Sequence, residues 1–264
     1  MTAIGVIGLG EAGSAIARDL AAAGAGVRGW DPLASAMPRG VEAARGEADA
    51  AAGAELVLSV NSATVAREVA ERVAPVLRPG QVFADLNTAS PALKRAIGEL
   101  ITGGALFADV ALMAPVPGRG VCTPAVVSGP GAERFASAMA AYGMPVTALG
   151  AEAGDAAALK LARSVFAKGM AAAIGESLAA AERLAAAQWL YADIERTLVE
   201  ADGALLRRLV EGSRIHARRR VEEMAAAVEM LEELGVEPRV AAASEAWLRS
   251  LADGEVAAPR AGGR

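Results

Sequence analysis

Ile4-Gly5-Val6-Ile7-Gly8-Leu9-Gly10-Glu11-Ala12-Gly13-Ser14-Ala15-Ile16-Ala17 opens the chain with a short apolar run, a glycine turn and an amphipathic start. An apolar strand that turns at once into a helix through Gly-x-Gly-x-x-Gly has a physical reading. Gly8 permits the tight turn, Gly10 lets a pyrophosphate approach the backbone, and Gly13 lets helix and strand pack closely. The helix N-terminus then offers N–H groups and a positive dipole end to phosphates. A second apolar run, Gly26–Trp30, ends in Asp31, 23 residues after Gly8. That is about where a carboxylate accepts hydrogen bonds from the adenosine ribose hydroxyls. Asp31 favours NAD over NADP, because a 2′-phosphate would meet a like charge. Arg28 and Arg39 lie near enough in sequence to keep NADP open.

Composition narrows the setting. The chain has 264 residues, 54% hydrophobic and 22% charged, so a sizeable core is expected. Alanine supplies 67 positions and aromatics only 3%, which favours closely packed helices. A net charge of −5 gives no general electrostatic footprint for nucleic acid or anionic membrane. One cysteine and one histidine exclude a disulfide framework, a cysteine-cluster zinc site and paired-histidine metal motifs. No basic leader precedes the first strand, and charges interrupt every alanine-rich run before 18 apolar residues accumulate. A soluble, cytoplasmic protein is expected.

Two rhythms divide the chain. Strand-length runs at 3–7, 26–30, 56–60, 81–84, 106–110, 125–128 and 144–147 alternate with helical patterns such as 11–23, 63–77 and 91–100. That alternation predicts βαβ units and a parallel-rich sheet. After about residue 152 the apolar spacing becomes helical, through Leu159, Val165, Phe166, Met170, Ile174 and Leu178. Asp155 is placed to cap a long helix leading out of the first domain, and Gly235 with Pro238 ends a later one. The expected organisation is a Rossmann-like α/β dinucleotide-binding domain over 1–152, an all-helical substrate and dimerisation domain over 153–252, and a flexible tail over 253–264.

Three segments together resemble the 3-hydroxyacid dehydrogenase superfamily, which includes 6-phosphogluconate and 3-hydroxyisobutyrate dehydrogenases. Gly8-Leu9-Gly10-Glu11-Ala12-Gly13 is similar to the family's cofactor loop, with Ala12 where methionine is usual. Asp85-Leu86-Asn87-Thr88-Ala89-Ser90-Pro91 resembles the segment that passes the nicotinamide. Gly154-Asp155-Ala156-Ala157-Ala158-Leu159-Lys160 resembles the Gly-x-x-x-x-x-Lys that carries the catalytic lysine. The likeness is nearest to the short phosphogluconate-dehydrogenase-like branch. It implies NAD(P)-dependent hydride transfer, with Lys160 as general acid/base.

The departures fall on the substrate side. Where the family reads Asp-x-Pro-Val-Ser-Gly-Gly, Asp109 is followed by Val110-Ala111-Leu112-Met113-Ala114-Pro115. Met113 therefore stands in place of a serine, and Ser164 stands where an asparagine follows the lysine by four. Lys160 and Ser164 share a helix face at i and i+4, and an apolar setting around Lys160 is expected to desolvate it. Asn61 and Asn87 follow strands whose carboxyl ends face a ligand crevice, with Thr88 beside Asn87. His216, Arg219 and Arg220, at i, i+3 and i+4 in the only dense basic run, read either as a solvated face or as an anion site. The expected substrate is a small polar or anionic molecule, held by Met113, Ser164, His216, Arg219 and Arg220. Nucleic acid and membrane partners are not expected, whereas a homodimer through the helical domain is. An imine reductase on the same scaffold and a non-catalytic dinucleotide sensor are the alternatives.

Overall fold

Leu56 and Leu58 point to one side of a strand and Val57 to the other, yet all three are buried. Such a strand must lie inside a sheet covered on both faces. In the computed structural model, which describes residues 2–256, the sheet has eight strands. They are β1 Ala3–Ile7, β2 Gly26–Trp30, β3 Val41–Ala43, β4 Leu56–Ser59, β5 Val82–Asp85, β6 Leu106–Leu112, β7 Ala125–Ser128 and β8 Val146–Gly150. Their order is β3-β2-β1-β4-β5-β6-β7-β8. Every pairing is parallel except β6 with β7.

One face of the sheet packs on α1 (Glu11–Ala22) and α5 (Ala132–Ala140), through Ile16, Leu20, Phe135 and Met139. The other face packs on α2 (Glu47–Ala51), α3 (Ala66–Val73) and α4 (Pro91–Leu100), through Ala51, Val69, Val73 and Ile97. Fully buried side chains such as Phe83 and Phe135 contribute roughly 1.5–3 kcal/mol each by leaving water. The strand order reverses at β1, which has β2 on one side and β4 on the other. The crevice beyond the carboxyl ends of β1 and β4 is where a doubly wound sheet binds its ligand.

The chain divides into two compact units, Met1–Arg163 and Ser164–Arg264, and the dividing point falls inside α6 (Asp155–Arg183). After α6 come α7 (Ala187–Val199), α8 (Gly203–Ile215), α9 (Ala217–Glu233) and α10 (Arg239–Ala252). Within the second unit α9 packs on α10, and a small core gathers Ala180, Leu231 and Ala241 with Met224 and Val228 beside them. Glu176 accepts hydrogen bonds from Val240 N at 2.7 Å and Ala241 N at 2.8 Å, which holds the start of α10. Val165, Trp189, Val199 and Ile215 are each more than 60% exposed.

Several sequence expectations change. The helical spacing of the basic run does not belong to one helix. His216, at φ −113° and ψ 23°, separates α8 from α9, and Arg220 Nη1 reaches back across the break to donate to Ser213 Oγ at 2.6 Å. Strand β6 extends through Leu112 because it pairs with β7 up to Ala125. Asp155 is the first residue of α6 rather than its cap. Of the expected tail, 257–264 lie outside the described residues.

Candidate active site

The glycine loop is built by close approach. Gly8 has a φ of +97°, and its N–H donates to Trp30 O at 2.8 Å, joining β1 to β2. A Cβ on Gly13 would lie 1.9 Å from Gly8 O, so any side chain there would lift α1 off the loop. A Cβ on Gly10 would meet nothing within 4 Å. Gly10 is the N-cap of α1 and offers no side chain to the N–H groups of the first turn, at Glu11, Ala12 and Gly13. Asp31 closes the loop from β2. Its Oδ2 accepts from Leu9 N at 2.7 Å and its Oδ1 from Leu33 N at 2.8 Å. Each carboxylate oxygen keeps a lone pair for a further donor.

Past β4 and β5 sits a second polar group. Asn61 Nδ2 and Asn87 Nδ2 both donate to Ser59 Oγ, at 3.0 and 3.2 Å, and Asn87 Nδ2 also donates to Asp85 Oδ1. That leaves Asn61 Oδ1 and Asn87 Oδ1 buried without a hydrogen-bond partner among the described residues. Buried acceptors of this kind call for a donor. An open approach to backbone at Gly10, a carboxylate at Asp31 and two unmatched amide oxygens suit the phosphates, ribose hydroxyls and carboxamide of a nicotinamide dinucleotide. The residues present fit that group.

Lys160 belongs to the same unit. Its Nζ donates to Thr88 Oγ1 at 2.8 Å, next to Asn87 in the chain. The neighbours expected to desolvate it divide. Ala156 and Ala157 are buried, whereas Leu159 and Leu161 are 43% and 40% exposed. The N-terminus of α6 is held from the sheet. Asp109 Oδ2 accepts from Gly154 N at 3.1 Å and Ala157 N at 3.0 Å, and Ser128 Oγ accepts from Ala156 N at 3.0 Å. A side-chain acceptor at a helix N-terminus is worth about 0.5–2 kcal/mol. Gly154 has a φ of +102°, and a Cβ there would lie 3.0 Å from Pro91 O at the start of α4. The glycine six residues before the lysine is required by both conformation and space.

Sequence reasoning missed Lys94. It is 1% exposed, and its Nζ lies 2.9 Å from Asp85 Oδ2, 3.2 Å from Asp109 Oδ1 and 2.6 Å from Asp85 O. Asp85 and Asp109 face each other in the β5–β6 register, so a shared cation relieves their repulsion. A signal was present: Lys94 stands three residues before buried Ile97, on the apolar face of α4.

The substrate-side candidates fall in both units. Met113, half-buried, follows β6 and donates from its N–H to Pro124 O at 2.7 Å. Ser164 begins the second unit, where His216 and Arg219 are exposed and Arg220 is half-buried.

Comparison with known proteins identifies the family. The family described as the NAD binding domain of 6-phosphogluconate dehydrogenase matches residues 3–119, and DUF1932, a domain of unknown function, matches 181–251. A conserved hypothetical protein from Sinorhizobium meliloti 1021 is 32% identical, over 95% of this chain and 88% of that one, with a TM-score of 0.64. Another solved protein, described as structurally similar to 3-hydroxyacid dehydrogenases, is 30% identical, over 96% of this chain and 98% of that one, with a TM-score of 0.65. An imine reductase variant from Myxococcus stipitatus, in complex with NAD+, has the same fold. It is 21% identical over 96% of this chain and 94% of that one, with a TM-score of 0.78. The fold and loop define an NAD(P)-binding protein of the Rossmann class. The chain belongs to the 3-hydroxyacid dehydrogenase-like family, whose dinucleotide-binding domain is of the 6-phosphogluconate dehydrogenase type.

Proposed function

We propose that the protein is an NAD(P)-dependent oxidoreductase that interconverts a small hydroxy acid, or a related polar alcohol, with its carbonyl form. The observation that carries the reading is the Lys160–Thr88 hydrogen bond beside Asn87, whose amide oxygen is unmatched. Gly8, Leu9, Gly10, Glu11, Ala12 and Gly13 hold the dinucleotide phosphates, Asp31 the adenosine ribose, and Asn61, Asn87 and Thr88 line the nicotinamide end. Bound NAD(P) supplies a ring carbon that accepts or returns a hydride. Lys160, as the neutral amine, takes the hydroxyl proton during oxidation and gives it back during reduction. Thr88 Oγ1 fixes the direction of the amine. Met113, Ser164, His216, Arg219 and Arg220 are assigned to the substrate.

A second reading, reduction of an imine, is favoured by one observation. The family's substrate serine is replaced by apolar Met113, which offers a carboxylate no hydroxyl donor. There Lys160 would deliver its proton to nitrogen. Turnover against a panel of hydroxy acids and cyclic imines with both cofactors separates the two readings. A protein that binds NADH but turns over nothing in the panel would instead be a dinucleotide sensor. In the same titrations NADH is expected to bind more tightly than NADPH, because a 2′-phosphate would crowd the Asp31 carboxylate. A clear preference for NADPH would overturn that assignment.

The helical unit supports assembly as a homodimer. Its own core is small, and it leaves Val165, Trp189, Val199 and Ile215 exposed; Trp189, with Leu184, Leu190 and Met224, also lines an apolar hollow of about 440 Å³. Exposed apolar surface on this scale calls for a covering surface. Sedimentation is expected to show a dimer, with Arg219→Ala plus Arg220→Ala raising KM while NADH binding holds. A monomer, or an unchanged KM, would leave the basic run a solvated surface.

A further inference from the structure

A polar path, buried between Asn87 and Ser128, runs under the site. It begins at Asn87, whose Nδ2 donates to Asp85 Oδ1, and crosses through Lys94 to Asp109. Asp109 then meets the α6 N-terminus directly at Gly154 and Ala157, while Ser128 Oγ donates to Asp109 at 3.3 Å and accepts from Ala156 N. From there the helix carries the chain to Lys160, whose amine returns to Thr88, the residue after Asn87. The path closes on itself. Asp85, Lys94, Asp109 and Ser128 are each no more than 1% exposed.

We propose that Asp109, tied to Lys94 and Ser128, is a positioning residue that sets where Lys160 stands relative to Thr88 and Asn87. Two features favour positioning over stability alone. The chain has only three lysines against 23 arginines, and one of the three lies wholly buried between two aspartates at the strand ends. Lysine is the shorter, compact cation, able to place three donors on Asp85 O, Asp85 Oδ2 and Asp109 Oδ1 at once. Such a group suits one orientation of the Asp109 carboxylate, with Oδ1 toward Lys94 and Oδ2 toward α6. The energetic logic also points to placement. A buried ion pair is weak evidence for stability, because desolvation offsets attraction, whereas specifying a unique geometry is a role it can perform.

The proposal rests on the assignment of Lys160 above, so its test avoids turnover. Competitive labelling of amines with acetic anhydride, quantified at Lys160 by mass spectrometry with Lys168 as internal reference, reads the environment of Lys160 without substrate. In Asp109→Asn and in Ser128→Ala, the labelling rate of Lys160 relative to Lys168 is expected to change by about threefold or more, as the amine leaves its seat on Thr88. Ser128→Thr, which keeps the hydroxyl, is expected to restore the wild-type rate. If Asp109→Asn does not fold, the two Ser128 variants decide. Variants that melt earlier but label Lys160 as wild type does would reduce Asp109 to a structural cap, as would equal labelling in Ser128→Ala and Ser128→Thr. If Lys160→Ala keeps full turnover while the labelling changes as expected, the catalytic assignment falls and the positioning stands.

Discussion

Gly10→Val is expected to abolish measurable NADH binding while the protein still folds. A Cβ at Gly10 meets nothing within 4 Å, and its backbone, at φ −63° and ψ −166°, is open to any residue. The cost to the fold is limited to a poorer N-cap, about 1 kcal/mol. The cost to binding is larger, because valine fills the space through which a pyrophosphate reaches the first-turn N–H groups. Losing two charge-assisted hydrogen bonds at about 1.5–3 kcal/mol each weakens binding roughly 100-fold or more. Gly13→Val makes the contrast. Its side chain would collide with Gly8 O, so both binding and thermal stability should fall. Fluorescence titration of NADH, alongside a melting curve, distinguishes the two variants. Normal NADH affinity in Gly10→Val would remove the loop from the cofactor site.

Lys160→Ala is expected to lower turnover by a factor on the order of 10² to 10⁴, the usual scale for a general acid/base. In barrier height that is about 3–5 kcal/mol. NADH affinity should change little, because the phosphate loop lies on β1 and α1 while Lys160 meets Thr88 after β5. Lys160→Arg is a stringent companion. It keeps the charge but cannot release a proton near neutral pH, so it should fail to rescue. Most of the activity remaining in Lys160→Ala would return the residue to an ordinary helix lysine.

The strand, glycine turn and helix that open the chain were legible because they constrain one another locally. The spacing from Gly8 to Asp31 predicts a carboxylate for the adenosine ribose; its hydrogen bond to Leu9 N, which ties it to the loop, was not foreseen. Less was legible where partners are distant in sequence. The sequence around α6 offers Asp155 as its cap, whereas Asp109 and Ser128 arrive from strands 45 and 28 residues away from the N–H groups at Gly154 and Ala156. Lys94 escaped notice because a lysine in an amphipathic helix is normally solvated, and only the Asp85–Asp109 register makes burial favourable. Short elements escaped for another reason. Strand β3 and helix α2, three and five residues long, carry too few positions for a period to show. Strand β8 begins at Val146 rather than Met144, which is packed in the core as part of the preceding turn.

The anchor of α6 lies inside β6, three residues before that strand ends at Leu112, and every residue that meets substrate in the proposed arrangement comes after it. Replacements at Met113, Ala114 and Pro115 therefore act on a segment outside the Asp109 and Ser128 hydrogen bonds that hold the start of α6. On the proposed function, a library of replacements at these three positions, sparing the buried Val116, Val121 and Thr123, is expected to change what is accepted without moving Lys160. On the proposed function, recognition and proton transfer fall to separate parts joined at one strand, and selection or design can vary one while leaving the other in register.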